Sequence, residues 1–367
     1  MKTGPDRRPY ARNARPTIQD IARACGVSKG TVNRAIHDKP GINAETKRRV
    51  LETIEEMRFA PSFMARSLAT GRTHSIGVLL PNVDNEFFAM VCSEIEKANW
   101  ERGYVTNLSF SDDRPDRETA VLRSFNSRSV DGLVIFPVSK DDASTLSALA
   151  VDTPVVILLN DLALPHVSAV TINEYEAMTR TIRYLVELGH RRIAYIDGYR
   201  RYSSAYNDFI NEERYRAYVD TLAKCAIPRD PALTIEFDPR YYDSSDPAPL
   251  ERLVSLDSPP TAIACFHDRI AIWVLRRLED LGFRVPDDIS LTGFDDIREV
   301  RYIRPRITTT GGRSRDVAVE AIDLLFRRIL NPDEPARRTM FDVDLIRGDS
   351  CGPPGRLVQT HTSQENR

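Results

Sequence analysis

The sequence predicts a small all-α helix-turn-helix head followed by a larger α/β body. Three observations carry this. Residues 17–58 place apolar side chains at helical spacing in three short blocks, punctuated by Gly26, Pro40 and Gly41. From His74 onward, apolar runs of strand length alternate with helical stretches. Charge divides along the same line. Residues 1–72 hold 15 Lys and Arg against 7 Asp and Glu, a net of +8, while the rest of the 367-residue chain carries −10, for a formal total of −2. A basic head on an acidic body implies that the head alone meets a polyanion.

In the first block, Thr17 with Asp20 three residues later has the form of a capping box, and Ile18, Ile21, Ala22 and Cys25 make one apolar face. Gly26 ends that helix in a tight turn. Ser28 opens the second helix, whose inner face is Val32, Ala35 and Ile36. Asn43 caps a third, with Val50, Ile54 and Met57 inside. Two helices joined by a glycine turn form a helix-turn-helix unit. Gly30 is the oddity. It lies in the first turn of the second helix, although glycine costs about 1 kcal/mol against alanine in a helix interior. Lys29, Arg34, Lys39, Lys47, Arg48 and Arg49 surround it.

Pro61 interrupts after the third helix. The stretch SFMARSLATGR, residues 62–72, is too short for a stable isolated helix. The body then offers SIGVLLP, YVTNLSF, DGLVIFPV, PVVILLN, VSAVTIN, RRIAYIDG, ALTIEFD, TAIACFHD and ISLTGFDD as strands, with helices such as 87–101 and 117–126 between them. Near-continuous apolar strands alternating with helices indicate parallel sheets covered on both faces. This many strands fit either one large sheet or two lobes, and periodicity does not choose.

Composition excludes several classes. No apolar run reaches the roughly 18 residues of a membrane span. No apolar stretch follows the basic first residues, so no secretory leader is expected, and a cytoplasmic location is. Five scattered cysteines without a CxxC support neither a disulfide framework nor a zinc site. No metal and no cofactor are expected. The alternative reading is an α/β enzyme, or a solute-binding protein, acting on a small polar metabolite. Against an enzyme, the chain lacks GxGxxG, GxxxxGK before Ser or Thr, HExxH and GxSxG. Against a solute-binding protein, export has no use for a basic head.

The continuous stretch TIQDIARACGVSKGTVNRAIHDKPGINAETKRRVLETIEEMRFAPSFMARSLATGRTHSIGVLLPN, from Thr17 to Asn82, resembles the head and hinge of the lactose/galactose repressor (LacI/GalR) family. LGHRRIAYIDG, ERYRAYVDTL, ACFHDRIAI, VPDDISLTGFDDI and PRITTT follow in that family's order and extend the resemblance over nearly the whole chain. It implies a DNA-binding head, a hinge helix and a body of two parallel-sheet lobes similar to type I periplasmic binding proteins. The implied division is a basic arm over 1–16, expected to be disordered; a helix-turn-helix domain over 17–60; and a hinge helix over 61–72. An effector-binding and dimerisation domain follows over 73–351. One of its lobes takes 73–172 with 304–330, the other 173–303 with 331–351. The tail, 352–367, is expected to be disordered. The implied function is that of a sequence-specific transcriptional regulator, a repressor. A homodimer, or a tetramer, would grip a near-palindromic double-stranded operator under control of a small effector: a sugar, sugar acid or polyol.

The resemblance also implies sites. The second helix would lie in the major groove with its N-terminal residues at the base edges. Lys29 and Arg34 would read bases, with guanine O6 and N7 as targets. Asn33 stands where serine is frequent. Gly30 stands where a polar side chain is frequent, so one usual base contact is missing and the helix can approach the groove more closely. Thr17, Ser28, Thr31 and Asn43, which simple capping also explains, would offer hydroxyl, amide or helix N-terminal N–H groups to phosphate. In the hinge, Leu68 would be an apolar wedge in the minor groove, Ala65 would admit the groove floor, and Arg66 would meet phosphate. In the body, Arg214 opens RYRAY, where RxxGY is usual and Ala217 replaces the glycine, and Asp295 is the first aspartate of GFDD. Asn82, Phe87, Asp161 and His267 follow strands at their carboxyl ends, where ligands of α/β lobes bind. A histidine at 267, where asparagine or aspartate is frequent, would suit a carboxylate or phosphate. Asp268 reads as either a helix N-cap or a ligand contact, and Asp296 and His190 read as structural.

Overall fold

The computed structural model describes residues 16–36, 40–57, 72–128, 130–138, 143–160, 162–198, 207–237 and 248–355. They fall into two compact units, Met1–Thr73 and His74–Arg367.

In the first unit, α1 (Ile18–Ala24), α2 (Lys29–Ile36) and α3 (Ala44–Glu56) form where the spacing places them. The capping box is complete. Thr17 Oγ1 accepts from the Asp20 N–H at 3.3 Å, and the Asp20 carboxylate accepts from the Thr17 N–H at 3.0 Å. Ser28 Oγ accepts from the Thr31 N–H at 3.1 Å and Asn43 Oδ1 from the Thr46 N–H at 2.7 Å. Each cap pairs a helix-end donor and contributes about 1 kcal/mol. Gly26 turns the chain between α1 and α2 at φ +60°, a region glycine enters without Cβ strain. Ile21, Ala22, Cys25, Val32, Ala35 and Val50 are buried together, with Ile18, Ile36, Ile54 and Met57 packed on them, so the three inner faces form one core.

The second unit has two lobes. The first contains β1 (Ser75–Leu80), α4 (Glu86–Glu101), β2 (Val105–Phe110), α5 (Pro115–Arg128), β3 (Gly132–Ile135), α6 (Ala143–Leu149), β4 (Val155–Leu158) and β5 (Ser168–Ile172). The second contains α7 (Glu174–Glu187), β6 (Ile193–Asp197), α8 (Asn207–Lys224), β7 (Thr234–Glu236), α9 (Ala248–Val254), β8 (Ala262–Cys265), α10 (Asp268–Asp280) and β9 (Ser290–Thr292). The chain continues through β10 (Thr309–Gly311), α11 (Ser314–Leu330), β11 (Arg338–Phe341) and β12 (Asp344–Ile346). One sheet has the order β11-β5-β4-β3-β1-β2 and the other β7-β6-β8-β9, parallel throughout. Every residue of β1, β3 and β4 is buried, as unbroken apolar runs require when helices cover both faces. Among the described residues, no helix is long and apolar enough to cross a membrane.

Three assignments depart from the implied division. β10 pairs antiparallel with β12, and Thr308 and Gly311 bridge to Thr292 and Asp295 beside β9, so 308–311 continue the second lobe, not the first. β11 pairs with β5, so 338–341 belong to the first sheet and not to the second lobe. β11 is an edge strand with alternating exposure, and such a strand carries no continuous apolar run for periodicity to detect. Residues 352–355 are a fixed part of the second lobe, not tail. Gly352 donates its N–H to Ser290 Oγ at 3.0 Å, and its carbonyl lies 2.9 Å from His190 Nε2. His190 is thereby a buried brace, as read from the sequence. Residues 356–367 and the arm 1–15 lie outside the described residues.

The chain thus passes between the lobes three times: after β5, after β10 and after β11. Asn173, at the first crossing, ties two of these together. Its Nδ2 donates to Asp342 Oδ1 at 3.0 Å and its N–H to the Phe341 carbonyl at 2.9 Å.

Candidate functional site

On the head, Lys29, Gly30, Asn33 and Arg34 lie exposed on α2, while Val32 and Ala35 face the core and Thr31 is half-buried. Spacings of one, four and five residues put the four exposed positions on one helix face. Thr17, Ser28 and Asn43 are exposed at the helix starts they cap. Gly30 has room around it: a Cβ there would meet only Ser28 Oγ, at 3.6 Å. No packing within the head requires glycine. Gly30→Ala is therefore expected to leave the head at least as stable, with a gain of up to about 1 kcal/mol from helix propensity, while altering affinity for DNA. Urea unfolding beside a DNA titration checks both. Unchanged DNA binding would make Gly30 a tolerated surface glycine. The hinge residues Ala65, Arg66 and Leu68, and Asp161 in the body, lie outside the described residues.

In the body, a cleft opens at the carboxyl ends of the strands of both lobes. Asn85, Phe87, Phe88, Phe136, Leu159 and Ile172 line it from the first lobe, and Glu174, Arg214, Phe266, His267 and Asp295 from the second. Four of the six expected effector residues, Phe87, Arg214, His267 and Asp295, meet there. The free space among the side chains is about 40 Å³, room for a few waters and not a hexose, so a larger ligand enters only as side chains or lobes move apart. Arg269 donates to the Asp84 carbonyl across the mouth at 2.7 Å.

Arg214 is the centre of the cleft and is 5% exposed. Nε donates to Glu174 Oε2 at 2.6 Å, Nη1 donates to the Phe266 carbonyl at 2.5 Å, and Nη2 lies 3.7 Å from Asp295 Oδ1. The guanidinium lies 3.6 Å from the centre of the Phe294 ring and 4.5 Å from that of Phe266. Burial opposes its charge, and Glu174 and Asp295 more than restore it, so its pKa lies above the ordinary arginine value. Glu174 is the residue that reading the sequence missed. As the first residue of α7 in INEYEAM it looks like a helix-start acid, and only the tertiary fold brings it to an arginine 40 positions away.

Asp295 sits in a tight turn, with φ +107° there and +54° at Asp296. Its N–H donates to the Thr310 carbonyl at 2.7 Å. Burial pushes its carboxyl up to about 7, with Arg214 pulling the other way and Glu174 adding to the rise. Asp296 accepts from Arg301 at 2.7 Å and is structural, as read.

His267 lines the cleft as expected and also takes the cap that was one of the two readings of Asp268. His267 is the N-cap of α10, its Nδ1 accepting from the Ile270 N–H at 3.1 Å. Burial, with Arg214 and Arg269 nearby, pulls its pKa down to about 3, so it is neutral and presents Nε2–H. A neutral imidazole does not supply the positive charge that a carboxylate or phosphate would want. Asp268 is no cap. It is fully buried, accepting from Thr309 Oγ1 at 2.6 Å and from the Ile297 N–H at 3.0 Å. Asn82 does not line the cleft. Its Nδ2 donates to Asp113 at 3.1 Å and its Oδ1 accepts from the Asn85 N–H at 3.3 Å, so it holds the loop that places Asn85 and Phe87.

The arrangement is a hydrogen-bonding pocket: two carboxylates, a guanidinium and an imidazole N–H, walled by phenylalanine rings that suit the apolar face of a sugar. Comparison with known proteins identifies the head and the body. The family model described as bacterial regulatory proteins, lacI family, matches residues 17–62, and the one described as periplasmic binding protein-like domain matches 182–351. Catabolite control protein A of Priestia megaterium is 30% identical over 310 residues, covering 84% of this chain and 91% of its own. The HTH-type transcriptional repressor PurR of Aliivibrio salmonicida is 29% identical over 329 residues, covering 89% and 96%. The Lac repressor dimer bound to operator and the anti-inducer ONPF matches with a TM-score of 0.76 at 21% identity, covering 92% of this chain and 100% of that one.

Proposed function

This chain belongs to the lacI family of bacterial regulatory proteins and is a DNA-binding transcriptional regulator with an effector-binding domain; we propose that it is a repressor whose operator affinity is set by a sugar or polyol held between its lobes. Its relatives are regulators rather than enzymes. The observation that carries the effector assignment is the buried Arg214, set between Glu174 and Asp295 at the mouths of two sheets and faced by aromatic rings. A protein with no ligand to bind gains little from burying two carboxylates and a guanidinium around a cavity, because each ion loses several kcal/mol of hydration.

On DNA, Lys29 and Arg34 read base edges, Asn33 reads base or phosphate, and Thr17, Ser28, Thr31 and Asn43 position the head on the backbone. Leu68 is the minor-groove wedge of the hinge, with Ala65 small enough to admit the groove floor and Arg66 on phosphate. The protein works as a homodimer on a near-palindromic operator, with half-sites about one helical turn apart. Supporting a dimer, β2 is an edge strand with Val105 and Leu108 exposed; a second copy would cover such an edge. Its place of work is the bacterial cytoplasm, with the nucleoid. Effector binding changes the angle between the lobes and so the folding of the hinge, coupling two distant sites.

The test is titration of labelled upstream DNA at several salt concentrations. Specific binding is expected to exceed binding to random duplex by at least about a thousandfold, with a logarithmic salt slope of about −0.9 per phosphate neutralised. Leu68→Ala is expected to lose specific affinity at nearly constant slope. Equal affinity for every duplex, with and without sugars, would sink the proposal.

A further inference from the structure

The surroundings of Arg214 bear on the charge of the ligand, given that the cleft is the effector site. An arginine takes a carboxylate or phosphate through two adjacent N–H groups along one edge of its guanidinium. Neither edge of Arg214 offers such a pair. On one, Nε donates to Glu174 Oε2 at 2.6 Å and Nη2 faces Asp295 Oδ1 at 3.7 Å. On the other, Nη1 donates to the Phe266 carbonyl at 2.5 Å. The Phe294 and Phe266 rings pack against the guanidinium, which together with these hydrogen bonds holds it from swinging toward an anion.

The charge count points the same way. Among the described lining residues, the carboxyl groups of Glu174 and Asp295 stand beside one guanidinium, whose charge Glu174 already matches through their 2.6 Å hydrogen bond. His267, whose Nδ1 accepts from the Ile270 N–H, adds a neutral donor and no cation. Arg269, beside it, already donates to the Asp84 carbonyl. Hydrogen-bonding capacity left on the Glu174 carboxylate is acceptor capacity, because a carboxylate has no proton to give, and Asp295, whose carboxyl burial pushes up to about 7, joins it as an acceptor once ionised. A ligand that donates to Glu174 fits, and hydroxyl groups do so without bringing negative charge into a desolvated site whose one guanidinium is already paired.

We infer that Glu174 is a specificity-determining residue: by occupying Arg214 it closes the cleft to ligands bearing carboxylate or phosphate and reserves it for an uncharged, hydroxyl-rich effector. Sugar acids and sugar phosphates are thereby excluded.

The test uses the full-length protein, with thermal shift and calorimetry, and with inorganic phosphate and D-glucuronate as probes. Wild type is expected to show no saturable response that Arg214→Ala removes. Glu174→Ala opens the Nε edge and leaves a space of carboxylate size, and is expected to bind either anion at least tenfold more tightly than wild type. The gain should vanish in the Glu174→Ala/Arg214→Ala double variant, which separates the cleft from anion binding at the basic head. Glu174→Gln, which removes charge while filling the space, is expected to gain less, and decides the matter if Glu174→Ala does not fold. A cleft-dependent anion response in wild type overturns the inference, as does absence of a gain in whichever variant folds. Among hexoses tested beside their uronic acids and phosphates, any that stabilises wild type is expected to bind at least tenfold more tightly than its anionic form; the reverse order overturns the inference. None of these readouts involves DNA. If sugars bind in this order but leave operator affinity unchanged, the effector reading fails and the charge discrimination stands.

Discussion

Replacing Arg214 by alanine is expected to abolish the thermal shift produced by effector and to destabilise the protein by about 3–5 kcal/mol, the usual cost of stranding buried partners of an ion pair. Glu174 loses its 2.6 Å hydrogen bond, Asp295 loses its nearest cation, and the Phe266 carbonyl loses its donor. The penalty has a pH signature. Asp295 holds its proton up to about 7 in the folded protein, against 3.8 ordinarily. The folded state therefore binds a proton that the unfolded state has released. The stability contributed by this group is complete at low pH and fades as pH rises through that window. Arg214 is the group that opposes this loss by favouring the carboxylate. Without it, the destabilisation should deepen from acid to mildly alkaline pH, which urea unfolding across that range measures. Arg214→Lys keeps the charge but not the planar fork; it should recover part of the stability and little of the ligand response. A variant that kept both would remove Arg214 from the site.

Gly311→Ala is expected to cost about 3 kcal/mol, at the top of the range for overpacking, and to weaken effector binding although residue 311 lies outside the cleft lining. A Cβ there would stand 2.5 Å from the Asp295 carbonyl carbon and 2.8 Å from the Asp296 nitrogen. These are backbone atoms of the turn held at positive φ, and they cannot give way as a flexible side chain would. Relief requires moving the turn, which carries the Asp295 carboxylate away from Arg214. Gly352→Ala serves as the control, since its Cβ would make only ordinary contact with Pro286 at 3.6 Å. Equal effects of the two substitutions would show that Asp295 is not positioned through Gly311.

What the sequence revealed and what it hid follow from the range of the interactions. The head was legible because its signals are local: Thr17 with Asp20, Ser28 with Thr31 and Asn43 with Thr46 each lie three residues apart, and each pair is a hydrogen bond in the structure. The buried strands were legible because two covered faces demand unbroken apolar runs. β11 escaped because RTMF lies at a sheet edge with Met340 65% exposed. Glu174 escaped because nothing beside it in the chain marks it as a partner for Arg214. Asn82 stood at the right strand end, but its amide serves its own loop. His267 stood at the right position in the wrong state, since capping α10 fixes which nitrogen can accept. Position along a strand can be read from a chain; protonation and pairing depend on what the fold brings alongside.

The triple crossing, with Asn173 fastening two of its strands, makes those strands a fulcrum. Glu174 begins one residue beyond Asn173, and Gly311, against Asp295, comes just before the next crossing. A ligand contacting Glu174 and Asp295 would therefore push on the short arm of a lever, and a displacement of a fraction of a bond length there would be multiplied at the lobes' outer rims.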